Sequence, residues 1–279
     1  MDNIIIFGAG NTGIRAYERY CKDCNVLCFL DNDEEKWGTE LRGITILEPT
    51  YANIKCYNYD YILIASVYGK QVIEKQLNEM GIPKDKVRIL QSNPDVLSPF
   101  LKCLSELFDS KNVEGSIAEV GVFQGDSAEK MNRFFGNRTL HLFDTFNGFS
   151  DKDTATEIAN NYSTAKANQY DDTSIELVMS KMSNPLKVVI HKGYFPDTAT
   201  GIDESFSFVR IDLDLHKPTV AALNFFHPLM VNGGCILVHD YFGESYKGVK
   251  EAITEYIIKH PELRLLPIGD SLSVAIVGY

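Results

Sequence analysis

A chain of 279 residues with 44% hydrophobic and 23% charged content has the balance of a globular protein and the length for two cores. Its 38 acidic against 27 basic residues leave a formal charge of -11, which argues against a nucleic-acid partner, because a phosphate backbone demands a basic surface. No apolar run reaches the ~18 residues of a membrane span. The opening MDNIIIFGAG has neither a basic leader nor a small-residue cleavage site and reads as a first strand. Six cysteines are scattered, and the CxxC at Cys21 and Cys24 has no second pair to complete a zinc site. A cytoplasmic, reducing compartment is therefore expected.

Over residues 1–92 the strand-like runs NIIIFG, NVLCFLD, YDYILIAS and KVRIL alternate with the helical patterns TGIRAYERYCKD and KQVIEKQLNEMG. That alternation predicts a small Rossmann-like parallel sheet of about four strands. FGAGNTG sets Gly8, Gly10 and Gly13 between the first strand and the first helix, as a dinucleotide loop requires. Asp31 ends CFLD, where an acid accepts ribose hydroxyls. Three readings stay open: a nucleotide or nucleotide-sugar site, a domain kept for packing, and a redox site. The last lacks the Tyr-x-x-x-Lys pair of a dehydrogenase. FGAGNTG with VLCFLDNDEEKWGTELRGITIL resembles the small nucleotide-binding N-terminal domain of bacterial sugar-processing proteins, such as acetyltransferases that act on nucleotide sugars. That resemblance implies the nucleotide of a sugar donor as ligand.

Residues 91–99, QSNPDVLSP, are rich in turn formers and broken by Pro94 and Pro99, so a second domain is expected over 93–279. It opens with the helix PFLKCLSELFDSK and continues with the strands GSIAEVGV, TLHLFDTF, KVVIHKG, SFVRIDLD and GGCILVHDY. LRLLPIG and LSVAIVGY, with Asp270 and Ser271 between them, predict a closing hairpin and an antiparallel strand. The polar stretch 150–173 between two strands reads as a lid or binding loop.

GSIAEVGVFQGDSAEKMNRFF carries Glu119, Gly121, Gly125 and Ser127 as E-x-G-x-x-x-G-x-S, again between a strand and a helix. This wider turn has room for an amino-acid tail. Helix-start amides and Ser127 suit a carboxylate, and Glu119 suits an ammonium. Asp144 ends HLFD and is placed for two ribose hydroxyls. Carboxylate, ammonium and ribose together describe S-adenosylmethionine. The other reading has Gly121 and Gly125 serving close helix–sheet packing alone.

AEVGVFQGDSA, LFDTFNGFS, KGYFPDT, RIDLDLHKPTVAALNFFHPLMVNGGCILVHDY and KGVKEAITEY, in that order, resemble the macrocin O-methyltransferase family over residues 95–279. The glycine turn is similar, more distantly, to that of the catechol-type methyltransferases. The resemblance implies an α/β class I methyltransferase sheet of seven strands with the last antiparallel, S-adenosylmethionine, and Mg2+. It also implies metal ligands at the first acid of D-x-D and at the acid pair of a D-D-Y turn, here Asp212, His239 and Asp240. Independently, Asp212 and Asp240 end adjacent strands, and two such carboxylates make an ordinary Mg2+ site. His239 stands where the family has aspartate. Imidazole suits Zn2+, Mn2+ or Fe2+ better than Mg2+, so the identity of the divalent metal stays open.

FVRIDLDLHKPTV spaces Asp212, Asp214 and His216 by two, so a strand carried to its end aims all three to one face. Asp212 is the leading catalytic residue, as metal holder. His216, where the family has Tyr, is a candidate general base or else a solvated turn residue. Asp214 is a candidate for a substrate hydroxyl or a helix cap. The expectation is methyl transfer from S-adenosylmethionine, with metal assistance, to a hydroxyl of a sugar or nucleotide-linked sugar. Against it stand a nucleotide-sugar oxidoreductase or epimerase using the first glycine loop, and a non-catalytic nucleotide-binding protein of carbohydrate assembly. The expected partner is a small-molecule sugar acceptor, and the oligomeric state is left open.

Overall fold

The structure, a computed structural model, describes residues 1–66, 69–90 and 95–279. The chain divides into two compact units, Met1–Pro94 and Asp95–Tyr279. Residues 91–94 of the turn-rich seam, with the expected boundary at 92/93, lie outside the described residues.

The first unit runs β1 (Asp2–Phe7), α1 (Asn11–Tyr20), β2 (Cys24–Leu30), β3 (Glu40–Leu41), β4 (Ile44–Leu47), α2 (Tyr51–Lys55), β5 (Tyr61–Ile64), α3 (Lys70–Glu79) and β6 (Val87–Ile89). Its sheet has the order β3-β4-β2-β1-β5-β6, parallel except for the β3–β4 pair. Six strands replace the expected four. The extra hairpin turns on Arg42 and Gly43, at φ 56 and 76, and a two-residue hairpin turn with both residues at positive φ is one that favours Asn or Gly first. Arginine in that place hides the signal. Ile4 and Ile6 pack in one buried cluster and Ile5 and Phe7 in another, so β1 is covered on both faces.

The second unit runs α4 (Leu97–Lys111), β7 (Ser116–Val120), α5 (Asp126–Phe134), β8 (Leu140–Asp144), α6 (Asp151–Ala159), α7 (Ile175–Lys181), β9 (Val188–Lys192), β10 (Phe206–Ile211), α8 (His216–Phe226), β11 (Met230–Val238), α9 (Lys247–Lys259), β12 (Arg264–Pro267) and β13 (Val274–Val277). The seven strands lie in the order β12-β13-β11-β10-β7-β8-β9. β13 is antiparallel to β11 and β12, as expected of a class I methyltransferase sheet. Between β12 and β13 the turn spans 268–273, longer than the two residues expected. Cores cover both faces: Ala118, Val120, Val209 and Ile211 pack on one side, Ile117, Phe208 and Leu237 on the other.

The stretch 150–173 is not a bare loop. Ser150 accepts from the Asp153 amide and starts α6, with Asp151 and Asp153 in the first turn, where acids suit the helix dipole. Its run of polar residues masked a helix whose buried face carries Asp153, Thr154 and Glu157 rather than apolar side chains. Among the described residues no helix is long and apolar enough to cross a membrane.

Candidate active site

In the first unit the chain passes from β1 to β2 on one side and returns to β5 on the other, and ligands of open parallel sheets bind at such a reversal. A cavity of about 490 Å³ lies there, within the range of small-ligand sites, lined by Gly8, Gly10, Asp31, Lys36 and Ser66 among others. Gly8 has φ 117, and a Cβ there meets the Ala65 carbonyl oxygen at 2.3 Å. Gly13 departs from its expected role: a Cβ on it meets the Gly8 carbonyl oxygen at 1.9 Å, so it serves the packing of α1 on β1 and does not line the cavity. The Asp31 carboxylate accepts from the Ala9 amide at 2.7 Å and pairs with Lys36 at 3.3 Å.

The second unit repeats this wiring. Asp144 accepts from the amides of Val122 (2.7 Å) and Phe123 (2.9 Å) through one oxygen and from Phe146 (2.7 Å) through the other. In both units the acid ending the second strand ties down the glycine turn after the first. Asp144 therefore meets backbone first, and only its remaining acceptor capacity faces the cavity that it lines with Gly121, Tyr194, Phe195 and Asp212.

Gly121 joins the two halves of this site. Its φ is 86, and a Cβ would sit 2.0 Å from the Asp212 carbonyl oxygen. The Asp212 amide donates to the Val120 oxygen at 2.8 Å. The glycine turn and the acidic strand end are thus in backbone contact. Gly125, at φ 82, stands against Val178 of α7 and so serves packing.

Parallel register pairs Arg210 of β10 with Glu119 of β7, and alternation puts Asp212 on the same face as Arg210. One Arg210 nitrogen contacts Glu119 at 2.7 Å and Asp212 at 2.8 Å. Ser127 donates its hydroxyl to the same Glu119 oxygen. Glu119 thus binds both Ser127 and Arg210 in this structure. The second Glu119 oxygen is buried without a hydrogen-bond partner among the described residues. Burial raises the Glu119 carboxyl to about 7 in spite of Arg210 and Ser127. Burial also presses upward on Asp212, but Arg210 and His239 outweigh it and hold that carboxyl below its ordinary value. The two differ in their further charged neighbours, since the Asp212 carboxylate raises Glu119 whereas His239 lowers Asp212. The sequence signal for Arg210 was a lone cation in a buried apolar strand, a group that requires a partner.

Asp212, His239 and Asp240 each offer a ligand atom, and these lie within 4.8 Å of one another. His239 is oriented from behind by the β12–β13 turn. Ser273 donates its hydroxyl to Asp270 at 2.5 Å and contacts His239 Nδ1 at 2.9 Å, so it accepts from Nδ1–H. That fixes the tautomer with a lone pair on Nε2, which lies 3.9 Å from Asp240. The donor set fits a divalent cation. Burial, the charges of Asp212 and Asp240, and a hydrogen bond to Asp240 push the Asp214 carboxyl well above the usual range.

The expected alignment of Asp212, Asp214 and His216 does not occur. β10 ends at Ile211, and Asp214 takes φ 60, which breaks the alternation. His216 is the first residue of α8. Its ring stacks on Tyr162 at 5.2 Å, and its buried Nε2 lies 3.7 Å from Glu255, beyond hydrogen-bond reach. Two tyrosines escaped the sequence reading. Tyr170 and Tyr246 share a hydrogen bond of 2.9 Å, and Tyr170 packs on Phe123 and Phe149, each at 5.3 Å. Gln124 donates to Asp172 and Thr173 donates to the Phe123 oxygen, so residues 169–173 lie directly on the glycine turn.

Residues 94–263 match the family Macrocin-O-methyltransferase (TylF), and residues 1–88 match the family C2185-like, N-terminal. Among solved structures, the O-methyltransferase NovP is 23% identical over 64% of this chain and 78% of its own, with a TM-score of 0.53. CalS11, a calicheamicin methyltransferase, is 20% identical over 76% of this chain and 86% of its own, with a TM-score of 0.55. Both share the fold. No curated protein matches the chain.

Proposed function

Since the chain belongs to the macrocin-O-methyltransferase family and is an O-methyltransferase, we propose that it moves the methyl group of S-adenosylmethionine to a hydroxyl of a sugar or nucleotide-linked sugar. The observation that carries this reading is the backbone contact of Gly121 with Asp212, which sets a cofactor turn beside an acidic cluster on one cavity. The unpartnered Glu119 oxygen is an acceptor for the cofactor ammonium, and Asp144 keeps capacity for a ribose hydroxyl. The acceptor oxygen attacks the methyl carbon, the carbon–sulfur bond breaks with its electron pair passing to sulfur, and the hydroxyl proton goes to the carboxylate cluster. Asp212, His239 and Asp240 are the residues to hold a divalent metal, which when bound supplies Lewis acidity to the acceptor oxygen. Residues 169–173, with Tyr170 and Tyr246, close the site and exclude water.

The cavity at Gly8, Gly10 and Asp31 is proposed to hold a nucleotide, with Lys36 as cation for its phosphates. Uridine diphosphate titrated into the full chain tests that half. The test of the whole reading is calorimetry with S-adenosylhomocysteine. Binding in wild type, and loss of methyl transfer in Asp212→Ala with the fold intact, is expected. An absence of binding at millimolar ligand refutes it. Full turnover in excess chelator removes the metal from the scheme.

A further inference from the structure

A second set of metal-ligating side chains lies apart from the carboxylate cluster. His227, His260 and Glu262 each offer one ligand atom, and these lie within 4.8 Å of one another. His227 follows the last turn of α8 and His260 the last turn of α9, so both imidazoles sit at helix ends where the backbone dipole favours a cation.

Neighbours place one nitrogen of each ring. Tyr256 donates its hydroxyl to the Leu223 oxygen at 3.3 Å and contacts His227 Nδ1 at 2.7 Å. With its proton given to the carbonyl, the phenol oxygen accepts from Nδ1–H, and the lone pair falls on His227 Nε2. His260 Nδ1 and a Glu262 oxygen lie 3.2 Å apart, close to the ~3.3 Å between two ligand atoms of a tetrahedral zinc ion, so a metal takes the place of the proton between them and His260 offers Nδ1. The rings meet nearly edge to face, with centroids 4.6 Å apart and planes at 73°. Arg264 donates to the carbonyls of Pro261, Glu262 and Leu263 and so orders the turn that carries Glu262. A neutral imidazole held through its other ring nitrogen, as His227 is by Tyr256, is the usual form of a histidine ligand.

We infer that His227, His260 and Glu262 form a transition-metal site, independent of methyl transfer, that takes Zn2+ with water in its fourth position. Two imidazoles and a carboxylate are a common zinc set, too rich in nitrogen for Mg2+ or Ca2+. The half-exposed Glu262 leaves the ion a route from solvent. Bound there, zinc ties the ends of α8 and α9, the two helices that pack together against the sheet.

The experiment uses the full chain freed of metal and titrated with Zn2+ against a chromophoric chelator. Asp212→Asn with Asp240→Asn removes the other cluster. On that background one Zn2+ per chain is expected. His227→Gln or His260→Gln is expected to weaken it at least a hundredfold, and Tyr256→Phe, which frees the His227 ring, about tenfold. Circular dichroism of the metal-free variants confirms that they fold. Failure of the Asn background to bind micromolar Zn2+, or unchanged affinity in His260→Gln, overturns the site. Co2+ in place of zinc gives a spectrum of nitrogen and oxygen ligands. A thiolate charge-transfer band would instead put the metal on cysteine and equally overturn it.

Discussion

Replacing Arg210 by methionine leaves two carboxylates facing each other across a buried strand pair. Both now touch one guanidinium nitrogen, at 2.7 and 2.8 Å, so their oxygens lie at most the sum of those distances apart. Two charges about 5 Å apart repel by about 3 kcal/mol at an effective dielectric of ~20. Removing one member of a buried ionic group typically costs ~3–5 kcal/mol. Above pH 8 we therefore expect Arg210→Met to lose about 3–5 kcal/mol of stability. The loss shrinks in acid. Glu119 titrates at about 7 in the folded protein, against an ordinary value of 4.5. The folded state thus holds a proton that the unfolded state has released, and this contribution to stability falls as pH rises from 4.5 through about 7. Without Arg210 the folded value moves higher and the fall extends to higher pH. At pH 5.5, with Glu119 neutral, the remaining cost is that of lost hydrogen bonds, about 1–3 kcal/mol. Glu119→Gln added to Arg210→Met removes the repelling charge and should recover most of the alkaline loss. Trp37, the only tryptophan, lies in the first unit, so urea unfolding is followed by far-UV circular dichroism instead of fluorescence. A loss under 1 kcal/mol at pH 8, or no recovery with the added glutamine, would refute the account of Arg210 as the shared counter-charge.

Two further outcomes follow from the same site. Gly121→Ala puts a methyl group 2.0 Å from the Asp212 oxygen at a φ of 86, so the turn and the strand end must part. A drop of at least 2 kcal/mol in stability and loss of S-adenosylhomocysteine binding by calorimetry are expected, whereas a wild-type affinity would contradict the contact. Ser273→Ala frees His239 Nδ1 from its acceptor. Metal affinity, measured by chelator competition, should fall ten- to a hundredfold with the fold unchanged.

Local spacing carries much of this protein. Gly8 and Gly121 were legible because each stands where a strand must turn into a helix, and only glycine tolerates the backbone found there. Asp31 and Asp144 were legible as strand-end acids, though their first task is to hold the glycine turns by backbone amides. Asp212 and Asp240 were legible as acids ending adjacent strands and His239 only through the family resemblance, and the structure brings the three together. The terminal hairpin and its antiparallel strand were likewise visible in two apolar runs. The hairpin at Arg42 and Gly43 and the helix α6 were not, because one lacks the usual turn residue and the other buries polar side chains.

What tertiary structure alone decided is pairing across sequence. The register of β10 on β7 gives Arg210 both Glu119 and Asp212, and no spacing within either strand specifies it. Ser273 and Asp270, from the far end of the chain, choose the tautomer of His239. Positive φ at Asp214 turns His216 away from the line that a regular strand would have drawn. Most elements, and the polar residues that end them, were legible because those choices are made between near neighbours. Which side chains then share a charge, a proton or a metal is set by contacts that exist only once the sheet has closed.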